Sequence, residues 1–218
     1  MTERLKTLNP SRVRGLYAIT PTDLSGSELL AKVRAALQGG ASMLQYRDKS
    51  TDRRKRLNEA QALQQLCRDF GAWFVVNDDA ALARAVQADA VHIGRDDKHP
   101  EDYTMAFGVS CYNNFELAEA AAQKGAAYVA FGAVFASSTK PRAVSAPLAL
   151  FQQASALGLP RVAIGGITLA TAPDIIAAGA DALAVISDLF QAADVAEQAH
   201  RYQQLFSGLS HESERYSV

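Results

Sequence analysis

Gln45, Arg47 and Lys49 alternate along the segment QYRDK, so in an extended chain an amide and two cations point to one side. Such a grouping suits a phosphate ester or a pyrophosphate, Arg acting as a planar fork and Lys as a point charge. Taken alone, the segment reads more simply as a solvated, charged loop end. Asp78 and Asp97 each follow a short apolar run. Two carboxylates beside a pyrophosphate describe a Mg²⁺ site, because that ion keeps several waters and takes one or two protein carboxylates plus phosphate oxygens. Either aspartate alone reads as a helix N-cap or a turn residue, the role expected of their neighbours Asp79 and Asp96. Asn77 and Ser110 also close apolar runs. Ser137 and Thr139 place hydroxyls beside Lys140, while Gly165-Gly166 and Ile186-Ser187 offer backbone N–H groups where a phosphate can approach closely. The chain therefore offers two anion sites, one cationic and metal-assisted and one mostly neutral. A diphosphate and a monophosphate would match them.

The elements that must position these residues repeat. Four stretches pair a helix-like segment and a small-residue step with a short apolar run: GGASMLQYR (39–47), QADAVHIG (87–94), KGAAYVAFGAVF (124–135) and AGADALAVIS (178–187). Four further runs lie between them, at 15–20, 73–78, 106–110 and 161–166. They are too short for helices and lack polar alternation, so they read as strands covered on both faces. Helices are expected over 27–38, with a capping box at Ser25-Gly26-Ser27-Glu28, and over 51–68, 114–124, 147–156, 173–178 and 194–206. Eight strands alternating with helices in 218 residues predict a single-domain (β/α)8 TIM barrel, core about 15–206, with a doubly wound open sheet as the alternative. The segment 97–105, interrupted by Pro100, is too short for a crossover helix, so that helix is expected to be reduced or absent. The polar tail at 207–218 is expected to be poorly ordered. In such barrels chemistry occupies the face at the strands' C-terminal ends, where all the residues named above fall.

Composition narrows the classes. Lys plus Arg (22) nearly balance Asp plus Glu (23), and no basic cluster is interleaved with aromatics, which argues against nucleic-acid binding. The charged N-terminus and the absence of a long apolar run predict neither a signal peptide nor a membrane span, with the cytoplasm as the expected compartment. Cys67 and Cys111 read as buried fillers, Trp73 as a packed residue and His92 as a hydrogen-bonded core imidazole. The four histidines show no ligand spacing for zinc.

With these residues in view, the chain resembles the thiamine phosphate synthase family over roughly residues 15–206. The motifs are QYRDK at 45, ND at 77, HIGRDD at 92, GVS at 108, GAVFASSTK at 132, AIGGI at 163 and VIS at 185, in that order. The resemblance implies a (β/α)8 barrel and transfer of a hydroxymethylpyrimidine group from its diphosphate to thiazole phosphate, giving thiamine phosphate and pyrophosphate. By motif, Gln45, Arg47, Lys49, Asn77, Ser110 and Lys140 would hold the pyrimidine diphosphate, with Arg47, Lys49, Ser110 and Lys140 assisting its cleavage. Asp78 and Asp97 would bind Mg²⁺, and Ser137, Thr139, Gly166, Ile186 and Ser187 would hold the thiazole phosphate. Departures from the family pattern are Arg95 for Gln, Asp96 for Glu, Ala133 for Pro and Ser137 for Thr. Two other readings stay open: a metal-free thiazole tautomerase, in which Asp78, Asp97, Arg47 and Lys49 would have no purpose, and a non-catalytic phosphate-ligand barrel. Such barrels often pair into homo-oligomers, although no interface residue carries that expectation here.

Overall fold

The computed structural model describes residues 13–94, 105–135 and 145–207. Eight strands close into one parallel barrel in sequence order: β1 (Gly15–Ile19), β2 (Met43–Tyr46), β3 (Trp73–Asn77), β4 (Ala90–Ile93), β5 (Ala106–Tyr112), β6 (Tyr128–Gly132), β7 (Arg161–Ile164) and β8 (Ala182–Val185). β1 pairs with β8, so the sheet has no free edge and the open, doubly wound alternative is excluded. The helices are α1 (Gly26–Gln38), α2 (Arg53–Phe70), α3 (Ala80–Ala85), α4 (Phe115–Gln123), α5 (Ala149–Gln153), α6 (Ala172–Ala177), α7 (Ser187–Phe190) and α8 (Val195–Ser207), with a 3-10 turn at Ala154–Leu157. The expectation of a lost helix between β4 and β5 falls mostly on residues 95–104, which lie outside the described residues, as does the tail from 208 onward. Ser207, assigned to that tail from the sequence, is instead the last residue of α8.

Strict alternation along each strand produces two cores. Outward residues such as Leu44, Phe74, Val91, Phe131 and Leu183 pack against the helices' apolar faces, among them Leu29 and Val33 of α1 and Leu63 of α2. Inward residues fill the barrel: Tyr17, Met43, Trp73 and Tyr128 supply bulk, and Ala90, Ala130, Ala182 and Ala184 leave room for it. Both faces of each strand are thus covered and mostly apolar, which is why the sequence shows continuous runs rather than alternation.

The recurring Ala-Asp step has a defined structural job at the opposite end from the predicted chemistry. Asp89, just before β4, accepts the Phe74 N–H at 2.9 Å and returns its own N–H to the Phe74 carbonyl at 2.9 Å. Asp181, just before β8, does the same with Arg161, at 2.8 Å each way. It adds guanidinium bonds from Arg161 at 2.9 and 3.2 Å. Each aspartate locks the start of a neighbouring strand, in keeping with a stability role for the N-terminal face of such barrels.

At the other end, helix starts are set locally. Asp52, Asp79 and Asn114 accept N–H groups of the first turns of α2, α3 and α4. The capping box expected at Ser25 does not form. Glu59 of α2 takes the Gly26 N–H at 2.8 Å instead, and its second oxygen accepts the Tyr46 hydroxyl at 2.8 Å. A long-range carboxylate displaces the local cap because it ties α1, β2 and α2 together at once. The helix α3, too short to show periodicity, went unforeseen in the sequence.

Candidate active site at the barrel mouth

β2 delivers its motif in alternating directions. Gln45 points into the barrel and is 2% exposed, Arg47 is half-buried at the rim, and Lys49 is exposed beyond it. Thr20, closing β1, fixes where the segment leaves the sheet: its N–H goes to the Gln45 carbonyl at 2.9 Å, and its hydroxyl accepts the Arg47 N–H at 2.8 Å. Thr20 is a positioning residue that the sequence reading passed over, although it closes an apolar run as the other site residues do. The Arg47 guanidinium has no protein partner among the described residues, whereas Lys49 Nζ lies 3.5 Å from Asp78 Oδ2. Asp48 faces the other way and accepts from the Ser50 N–H at 2.7 Å and from Lys55 Nζ at 2.9 Å. Burial raises its pKa, but the bonds from Ser50 and Lys55 outweigh it and hold the carboxyl below its ordinary range.

β3 ends in Asn77, and Asp78 follows with φ of 62°. That left-handed conformation is uncommon outside glycine, with Asp and Asn among the residues that adopt it most readily. It is held by the Asp78 N–H, which donates to the His92 carbonyl at 2.9 Å, while the Asn77 amide donates to the Asp78 carboxylate. The chain thereby turns Asp78 towards the Lys49 side of the mouth and leaves Asp79 to cap α3. Asp79 accepts the Leu82 N–H at 2.9 Å and pairs with Arg56 at 2.8 Å, the structural role expected of it.

β5 carries a bulge, its register with β6 shifting between Ser110 and Tyr112 around Cys111. Bulges next to active sites re-aim side chains. Here Ser110 faces His92, with Oγ 2.8 Å from Nε2. Cys111 is fully buried, and burial pushes its thiol up to about 12, so it stays protonated and serves as a filler. Burial likewise raises the Cys67 thiol.

The barrel interior beneath the mouth contains a chain of polar groups. Gln45 Nε2 donates to the Tyr17 hydroxyl at 2.8 Å; the Tyr17 and Tyr128 hydroxyls are 2.9 Å apart; and Tyr128 Oη is 2.9 Å from His92 Nδ1. His92 is the bonded core imidazole that the sequence suggested, but its link to Ser110 and, through two tyrosines, to Gln45 was not legible there. Burial raises both phenols' pKa values, so each remains a neutral hydroxyl. Gly108 makes the arrangement possible, since a Cβ there would sit 2.0 Å from Tyr128 Cζ.

On the far side, β7 and β8 are paired neighbours, and Gly166 follows the first while Ile186 and Ser187 follow the second. Gly166 has φ of 63°, a conformation that glycine adopts without strain. The adjacent Asp188 carboxylate is occupied by the Tyr202 hydroxyl and the Gln198 amide of α8, each at 2.7 Å. The structure thus brings Gln45, Arg47, Lys49, Asn77, Asp78 and Ser110 to one end of the barrel, and sets Gly166, Ile186 and Ser187 at that same end. Asp97, Ser137, Thr139 and Lys140, with Arg95 and Asp96, lie outside the described residues.

Known proteins resemble this chain over the whole barrel. Residues 16–189 match the family described as thiamine monophosphate synthase. A thiamine-phosphate synthase from Chromobacterium violaceum is 54% identical over 196 residues, covering 87% of this chain and 95% of the relative. One from Azoarcus sp. strain BH72 is 52% identical over 203 residues, covering 90% and 98%. The structure of thiamine phosphate pyrophosphorylase from Pyrococcus furiosus superposes with a TM-score of 0.82 at 32% identity, covering 92% of this chain and 98% of that one. The match runs from the second residue of β1 through most of α7, so it takes in every strand of the barrel and each strand end on which the site is built, and this chain belongs to the thiamine monophosphate synthase family.

Proposed function

We propose that the barrel mouth joins the hydroxymethylpyrimidine group of 4-amino-2-methyl-5-(diphosphomethyl)pyrimidine to thiazole phosphate and releases pyrophosphate. The chain is an enzyme, a thiamine-phosphate synthase. The observation that carries the assignment of the site is the convergence of Arg47, Lys49, Asn77, Asp78 and Ser110 at the C-terminal end of one closed barrel. Among the described residues no helix is long and apolar enough to cross a membrane.

The C–O bond to pyrophosphate breaks first and leaves a pyrimidine-methyl cation, so no nucleophilic side chain is needed. Arg47, Lys49 and Lys140 gather around the departing diphosphate, whose charge grows as it leaves. They stabilise the transition state more than the substrate, and catalysis arises from that difference. Gln45 and Ser110 orient the pyrimidine from below, and Asn77 holds the diphosphate side. Ser137, Thr139, Gly166, Ile186 and Ser187 grip the phosphate of the thiazole so that its nitrogen faces the cation.

The donor set suits Mg²⁺. Asp78 presents a part-exposed carboxylate beside Lys49, and no group of three or more His, Cys, Asp or Glu among the described residues forms a closed metal cage. An ion that takes one or two carboxylates and fills its shell with phosphate oxygens and water fits such a mouth. Asp78 and Asp97 would hold it, and when bound it would supply positive charge to the leaving pyrophosphate. Pyrophosphate release is the test. It should require both substrates together, and binding of the diphosphate without release would refute the assignment.

A further inference from the structure

We propose that Tyr17, Tyr128 and His92 are positioning residues: a one-way hydrogen-bond chain across the barrel that fixes which atoms Gln45 and Ser110 present to the pyrimidine. The inference rests on the pyrimidine-diphosphate reading above and deepens it. Its content is the direction of the chain, which follows from counting donors. Gln45 Nε2 donates to Tyr17 Oη, so the Tyr17 hydrogen has Tyr128 Oη as its remaining partner. Tyr128 then receives from Tyr17 and donates to His92 Nδ1. A ring nitrogen that accepts carries no hydrogen, so His92 holds its proton on Nε2 and donates it to Ser110 Oγ. Ser110, having accepted, keeps its own hydrogen to give outward.

Two complementary groups result. Gln45, whose amide nitrogen is committed inward, offers its Oε1 as an acceptor, and Ser110 offers an O–H donor. An aminopyrimidine edge carries an N–H donor next to a ring-nitrogen acceptor and matches that pair; a pyrimidine bearing an oxo group in place of the amine reverses one member and loses the match. Packing keeps the chain in register. Tyr128 stacks on His92 with centroids 5.7 Å apart at 17° and meets Tyr17 edge-on at 6.0 Å and 87°.

Tyr128→Phe and Tyr17→Phe keep the rings and remove one hydroxyl each. Each should raise KM for the pyrimidine diphosphate roughly three- to tenfold, the weight of a hydrogen bond or two. KM for thiazole phosphate should not move and kcat should change little. Nitrogen NMR of labelled histidine in the substrate-free protein should show His92 protonated on Nε2 and bare on Nδ1, with the Nδ1 signal displaced in Tyr128→Phe as it loses its donor. A proton on Nδ1 in the parent protein overturns the proposal. So do equal rises in both KM values, which would mark a general disturbance of the barrel, and so does an unchanged pyrimidine KM in both variants. The NMR result needs no turnover, so a parent protein that released no pyrophosphate would refute the functional assignment while leaving the chain's direction still decided by the spectrum.

Discussion

Gly108→Ala places a methyl group where the structure has none to spare. The added Cβ would stand 2.0 Å from Tyr128 Cζ and 2.4 Å from both Cε atoms. Ordinary carbon contacts begin near ~3.5 Å, so the ring must retreat by about 1.5 Å. Tyr128 is 0% exposed, and its hydroxyl is bonded at 2.9 Å to Tyr17 and at 2.9 Å to His92. A displacement of that size takes both bonds beyond the hydrogen-bond range of about 3.2 Å. Each lost bond costs about 1 kcal/mol net, and overpacking a filled core adds about 1 to 3 kcal/mol. The sum is about 3 to 5 kcal/mol. Urea unfolding followed by far-ultraviolet circular dichroism should show the midpoint falling by about 1.5 M or more, at an m value of about 2 kcal/mol/M. The pyrimidine KM of the folded fraction should rise with it. A loss of less than about 1 kcal/mol would mean that the ring has room to move, and the account of a filled interior pinned by its polar chain would be wrong.

Two further outcomes test the rim. Asp78→Asn keeps a residue that tolerates the left-handed backbone at that position, so its melting temperature should match the parent's while turnover falls by roughly a hundredfold. Near-normal turnover in that variant, or in chelator-treated parent enzyme at saturating substrate, would remove the metal from the mechanism. Asp48 has its pKa held low by Ser50 and Lys55 against the opposing pull of burial. The stability it contributes is therefore complete above the unfolded carboxyl's value of about 4 and drains away as pH falls below it. Asp48→Asn should flatten the loss of urea stability between about pH 5 and pH 2, and an identical slope in parent and variant would show that the Ser50 and Lys55 bonds contribute nothing.

The barrel and much of its rim were legible in the chain because their causes are local or periodic. Continuous apolar runs mark strands covered on both faces, the runs recur eight times, and the residues closing them fall at one end once the strands are parallel. On that basis Gln45, Arg47, Lys49, Asn77, Asp78 and Ser110 could be gathered before any coordinates. Asp79 could likewise be given a capping or turn role, although the helix it caps was not foreseen, because capping is decided by neighbours within one turn. What tertiary structure alone decided is which distant groups meet. The Glu59 carboxylate takes the Gly26 N–H at a helix start where a local capping box at Ser25 was expected, and the repeated aspartates turned out to bind residues at the starts of neighbouring strands. Tyr17, His92 and Tyr128, each an ordinary core residue in its own run, became one polar chain. The physical reason is barrel closure. It brings β1, β2, β4, β5 and β6 around one interior, where buried hydroxyl, amide and imidazole groups find partners on other strands, and separation along the chain gives no sign of those pairings.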